Sequence, residues 1–257
     1  MKHALKKELL FGLRNHKFLI IIATFLFFAF SIPVMIKYLL PSVLRSQFPG
    51  MSEADLAMMI DISQMGSMTN YMENVFEIGL IVIGFTLAGL IAQEIKENTL
   101  VLSICSGERY QTIIQSKLIV FGLLLFSTSM FSIFLTYLYS GLVFSMDLGW
   151  IEVLKAGLLD SMYLLFVLSL ILFFGVLTKK VIATGLLSIG TTYVISLLGS
   201  LFDINHILPS GLHIEAGRFQ HVWNIDTWLP LVVTLGLIVI LYVASLYRLK
   251  TMEWNQR

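Results

Sequence analysis

The side chains able to do chemistry gather in one polar island between apolar runs, residues 93–117. It opens with Gln93, Glu94, Lys96 and Glu97 and passes through an apolar-leaning stretch from Thr99 to Cys105. It then breaks at Ser106-Gly107-Glu108-Arg109 and ends at Lys117. Charges at this density serve ion pairing and recognition. Within 94–109, a stretch charged at its start, apolar through Leu100, Leu102 and Ile104 and ended by Ser106-Gly107 predicts a short amphipathic helix held between two apolar segments. A membrane protein offers such a helix to a soluble partner; an ordinary solvated loop is the alternative. Catalytic motifs are missing from the sequence. There is no G-x-x-x-x-G-K-[ST], no H-E-x-x-H and no G-x-S-x-G, so the chain has no P-loop and no nucleophile or metal set of those kinds. The expectation is a non-enzyme with no cofactor of its own.

The elements that must position the island are membrane spans. Of 257 residues, 57% are hydrophobic and only 13% charged, with a mean hydropathy of +0.87; soluble domains carry about 25% charged residues. The formal net charge of +1 gives no reason to expect a nucleic-acid partner. Cys105, the single cysteine, has no intrachain partner for a disulfide. Apolar runs long enough to cross a bilayer fall at about 18–40, 74–92, 117–140, 156–177, 181–202 and 228–248. The fold class expected is therefore an all-α integral membrane protein, one six-span domain over residues 1–257. Pro33 should disturb the first span, and only Thr178-Lys179-Lys180 separate the fourth from the fifth, which predicts a tight hairpin. The first apolar run is too long for a cleaved signal.

Thirteen of the seventeen Lys and Arg residues fall at the ends and loops shared by the two termini, and four (Lys37, Arg45, Lys155, Arg218) on the other side. The positive-inside rule then puts both termini and 93–117 in the cytoplasm and 41–73 and 203–227 outside. Residues 2–17 are basic, with Leu5, Leu9 and Leu13 on one helical stripe, and read as an interfacial helix or a solvated basic tail. Outside, Ser52-Glu53-Ala54-Asp55 has the form of a capping box. Met51, Met58, Met59, Met65, Met68 and Met72 crowd the same loop and suit either an interfacial helix or an adaptable apolar surface; copper capture is a third option. In 203–227, apolar and polar residues alternate as in a segment dipping back into the membrane surface. The spacing of His206, His213 and His221 matches no common metal pattern.

Two hydroxyl rows run along spans. Thr128, Ser132, Thr136 and Ser140 lie four apart in span three, and Thr184, Ser188, Thr192, Ser196 and Ser200 in span five. Residues four apart drift about 40° per step, so such a row can follow a crossing helix. Each row permits close helix packing or a weakly polar wall for a translocation path, the latter carried best by Thr184, Ser188, Thr192 and Ser196. Gly84, Ala88 and Ala92 in span two suit close helix contact. Glu77 and Asp160 read as lying near the outer ends of their spans, leaving the middles of the spans poor in charge. That argues against a carrier driven by protons and for energy from outside the chain.

The segment Glu94, Asn98-Thr99-Leu100, Ser106-Gly107-Glu108-Arg109 and Lys117 resembles the loop between spans two and three of ABC-2 type permeases. Those are the membrane subunits of one class of ATP-driven transporters. Asn98 stands where glycine is usual, and no proline precedes the polar turn. The resemblance extends over nearly the whole chain: N-terminal helix, six spans, the inner loop and the dipping segment. It implies a permease subunit supplying half of an export pathway for a hydrophobic or amphipathic substrate such as a peptide toxin, bacteriocin, drug or lipid. Phenol-soluble modulin-like peptides fit that class. It further implies a second permease copy or paralogue, and ATPase subunits that bind ATP and Mg. These would dock on Glu94, Lys96, Glu97, Asn98, Thr99, Leu100, Leu102, Ser106, Gly107, Glu108 and Arg109. The expected location is a bacterial cell membrane. A non-transporting membrane anchor or immunity protein is the alternative.

Overall fold

The computed structural model describes residues 1–48, 61–220 and 222–252. Among them the chain forms nine helices: α1 (Lys2–Arg14), α2 (Lys17–Gln47), α3 (Gln64–Lys96), α4 (Thr99–Cys105), α5 (Tyr110–Val143), α6 (Trp150–Thr178), α7 (Val181–Leu201), α8 (Ser210–Gly217) and α9 (Ile225–Lys250). Six of these, α2, α3, α5, α6, α7 and α9, are long and apolar enough to cross a membrane. The chain is thus a multi-pass, all-helical membrane protein. The even number of crossings brings both termini and α4 to one end of the bundle, with α8 at the other.

The long helices overrun the apolar runs because polar residues continue and cap them. Span two begins at Gln64, where the Ser63 hydroxyl accepts a bond from Gly66 N at 3.1 Å. Span four begins at Trp150, where Glu152 reaches back to Gly149 N at 3.1 Å. Hydropathy marks the membrane core; hydrogen bonding decides where a helix stops. Between spans four and five the hairpin is as short as expected, with Lys179 at φ 57° closing α6. Directly after Pro33, which has no N–H to give, the helix widens into a π-turn at Met35–Leu39. A second π-turn spans Val75–Gly79 in α3.

Helix α6 is the hub, packed against α3, α5, α7, α8 and α9. In its most apolar stretch 67% of residues are buried, and 61% in that of α3, against 22% in α7 and α9. The middle of the bundle is therefore α3 and α6, while α7 and α9 present most of their surface outward. The small-residue row of span two is a packing surface. A Cβ on Gly84 would lie 2.4 Å from Ile189, a Cβ on Gly185 3.5 Å from Ala88, and Ala92 is fully buried.

Helix α1 does not pack through its leucines. Ala4, Glu8 and Gly12 form its buried stripe, while Leu9 and Leu13 are about half exposed. The methionine loop is also revised. Met65, Met68 and Met72 belong to α3, and Met68 and Met72 are core residues with no surface to offer. Met51, Met58, Met59 and the Ser52–Asp55 capping box lie outside the described residues.

Candidate functional site

The polar island folds into two turns and a helix. Asn98 takes φ 55°, the left-handed conformation that glycine adopts freely and asparagine tolerates, so it fills the usual glycine's role. Gly107, at φ 89°, closes the other end. Between them α4 buries Leu100 completely and half-buries Ile104 against the bundle, while Leu102 is 71% exposed. Three residues expected on one partner-facing side are thus divided, because positions two apart on a helix face opposite ways. Leu100 is an internal anchor, and Leu102 is the apolar side chain left on the surface beside exposed Thr99, Cys105, Ser106 and Gly107. Lys96 and Glu97 are exposed, with Gln93 Nε2 donating to Glu97 at 2.8 Å; Arg109 is exposed and Glu108 half-buried.

Glu94 is no rim residue. It is buried within an ion cluster that joins α1, α3, α4 and α5. Lys117 Nζ, wholly buried, donates to both Glu8 carboxylate oxygens at 2.9 Å. It also lies 3.0 Å from Glu94 Oε2, at an angle that makes this an ionic contact and not a hydrogen bond. Lys7 Nζ is 3.3 Å from Glu94 Oε1 and donates to Ser103 Oγ at 3.1 Å, tying α1 to α4. The Phe11 ring lies beneath both Lys117 and Lys17, whose amine donates to the Thr86 carbonyl. Burial pushes the Glu8 carboxyl up from its ordinary range; Lys117 opposes this and Glu94 adds to it. The charged knot thus joins α1 to the last turn of span two and to Lys117 in the second turn of span three, and reaches α4 through Ser103.

A second polar cluster lies deeper, and the sequence reading misplaced it. Asp160 is 1% exposed and faces Ser129, close to the midpoint of the 34-residue α5. Helix α6 starts at Trp150 and not near Ala156, which moves Asp160 inward by more than a turn. Asp160 Oδ2 accepts the Ser129 hydroxyl at 2.7 Å, and Oδ1 lies 3.2 Å from His213 Nδ1 on α8. His213 stacks on Phe76 with ring centres 4.7 Å apart, and Tyr163 is 5.9 Å away. Phe76 belongs to the Val75–Gly79 π-turn, where the wider turn leaves carbonyls without their usual helical donors. The Tyr193 hydroxyl donates to one of them, Glu77 O. Next to this cluster the Tyr71 hydroxyl bonds Ser132 at 2.6 Å.

The hydroxyl rows mostly face inward. Thr128, Ser132, Thr136 and Ser140 are buried between helices. Of the candidate path residues, Thr184, Ser188 and Thr192 are 0–1% exposed and donate to carbonyls of their own helix. In this conformation they pack and line no opening. Ser196 lines a shallow surface pocket of about 420 Å³, shared with Tyr193 and Ser200. Gln64 was missed altogether. Fully buried, it donates to Tyr137 O at 3.1 Å and accepts from Asp147 N and Leu148 N at 2.8 and 3.1 Å, pinning the turn between spans three and four. No family model matches the chain, and neither a curated protein nor a solved structure matches it.

Proposed function

We propose that the chain is the permease subunit of an ATP-driven exporter, half of a pathway for a hydrophobic or amphipathic substrate. A second copy or a paralogue would supply the other half, and ATPase subunits carrying ATP and Mg would dock beneath α4 on the cytoplasmic side. The observation that carries this reading is the knot at Lys117. It ties α1 to spans two and three through charge pairs and α1 to α4 through the Lys7–Ser103 hydrogen bond, while Leu102 stands out from the opposite face of α4. A helix built this way passes a push on Leu102 into spans two and three instead of absorbing it. The lysine and arginine distribution supports the orientation.

The test is co-purification of the chain with the products of neighbouring genes, followed by substrate-stimulated ATP hydrolysis in liposomes. An ATPase that stays bound to wild type and is lost from Leu102→Asp supports the reading. A chain that folds, binds no ATPase and moves nothing is an anchor or immunity protein. Orientation is tested separately with single cysteines in a Cys105→Ser background. Ser46→Cys and Gln220→Cys should react with an impermeant maleimide in intact cells, and Asn98→Cys should not. The buried Asp160–His213 pair favours a second reading, a carrier driven by an ion gradient. Efflux that persists without nucleotide and stops when the proton gradient is collapsed would establish that reading in place of the first.

A further inference from the structure

The Asp160 carboxylate sits in the protein interior, and its partners are conditional. Ser129 gives it one neutral hydrogen bond, and the only described cation against it is His213, which is charged only when protonated. A bare carboxylate in a low-dielectric interior is costly, whereas an imidazolium–carboxylate pair carries no net charge. The surroundings of His213 favour the same state. Its ring stacks on Phe76 at 4.7 Å and lies 5.9 Å from Tyr163, and aromatic faces attract a cation. The Tyr163 hydroxyl, buried beside the pair, has no hydrogen-bond partner among the described residues.

Other groups facing His213 do not replace Asp160. From α6, Lys155 is turned away, donating to Val222 O and lying over the Trp223 ring. From α7, the Tyr193 hydroxyl is spent on Glu77 O; from α3, Tyr71 is spent on Ser132, and the Glu73 and Glu77 side chains are exposed. On α8 itself Glu215 and Arg218 pair with each other. Asp226, at the start of α9, lines an outer pocket of about 280 Å³ with Asp203 and His206. His213 is therefore the group through which α8 is held to the bundle interior by charge.

We propose that His213 and Asp160 form a proton-operated latch. With Nδ1–H directed at Asp160 Oδ1, a proton arriving from the α8 end of the bundle adds to Nε2, and no other bond forms or breaks. The resulting pair seats α8 against α6. Loss of the proton leaves Asp160 uncompensated and lets α8 lift, which opens this end of the bundle. Histidine is the side chain whose charge ordinarily answers to mild changes of pH, which is what such a latch requires. The inference stands whichever energy source drives the protein.

The experiment is a nitroxide on Gly217→Cys in a Cys105→Ser background, with the full chain in lipid nanodiscs. A Cβ at Gly217 meets nothing within 4 Å, so the label fits without strain. The spectrum should change from immobile to mobile as pH rises, with the seated-to-lifted ratio falling about tenfold across roughly pH 5–8. His213→Gln and Asp160→Asn should each abolish that pH dependence. A wild-type spectrum that does not change with pH overturns the latch without reference to any variant. So does a pH dependence that survives intact in His213→Gln.

Discussion

Two regions bury carboxylates, and they neutralise them differently. At the α4 end, Glu8 and Glu94 face Lys117 and Lys7, two acids against two lysines. At the α8 end, Asp160 faces one histidine and a serine. The first arrangement is a permanent fastening between helices that are short or terminal and would otherwise fray. The second is a fastening that depends on a proton. A membrane bundle with few charges has placed one kind at its α4 end and the other at its α8 end.

Breaking the permanent cluster should give the largest effect. Lys117→Met leaves two buried carboxylates without their shared cation and should cost about 3–5 kcal/mol of stability. It should lower the midpoint of thermal unfolding in detergent and expose α1 and α4 to protease. Leu102→Ala sharpens the comparison from the other direction. The residue is 71% exposed, so stability should stay within about 0.5 kcal/mol. As an anchor for a partner it should cost about 2 kcal/mol of ATPase binding, read as lost co-purification, while Lys96→Ala should change little.

Asp160→Asn separates the two regions by pH. At acid pH, with the ring protonated, it leaves a charged histidine unpaired and should destabilise by about 1–3 kcal/mol; at alkaline pH, with the ring neutral, it removes an uncompensated carboxylate and should be neutral or stabilising. Lys117→Met should show no such reversal. Thermal unfolding at the two pH values checks both variants.

The smallest effect belongs to Glu8. Burial raises its carboxyl above the unfolded value, so the folded chain holds the proton more tightly than the unfolded one. Stability should therefore fall as pH rises from about 4.3 through the raised value, and should not vary with this group below about 4.3. The slope of unfolding midpoint against pH should flatten in Glu8→Gln. A steeper slope in wild type than in Glu8→Gln confirms the sign, and the reverse overturns it.

Six helices and their short connections follow from the sequence by itself, because crossing a bilayer is a local demand: about 20 apolar residues must satisfy their own backbone. The Thr178–Lys180 hairpin and the turn at Asn98 are equally local, each set by the conformations a few residues can adopt. Which side of a helix faces inward was decided by tertiary structure. Along α5 and α7 hydroxyl residues fall on more than one side of the helix, as at Ser127-Thr128-Ser129 and Thr191-Thr192, so periodicity barely separates the lipid-facing side from the packed one. The inward turn of Thr184, Ser188 and Thr192 was therefore not legible. The same holds for Leu100 against Leu102, for Gln64 at the turn it pins, and above all for charge. Glu8 and Lys117 stand 109 positions apart and Asp160 and His213 53 apart. Whether a charge is buried, and what answers it, depends on the helices that close around it, and no single segment of the chain contains that information.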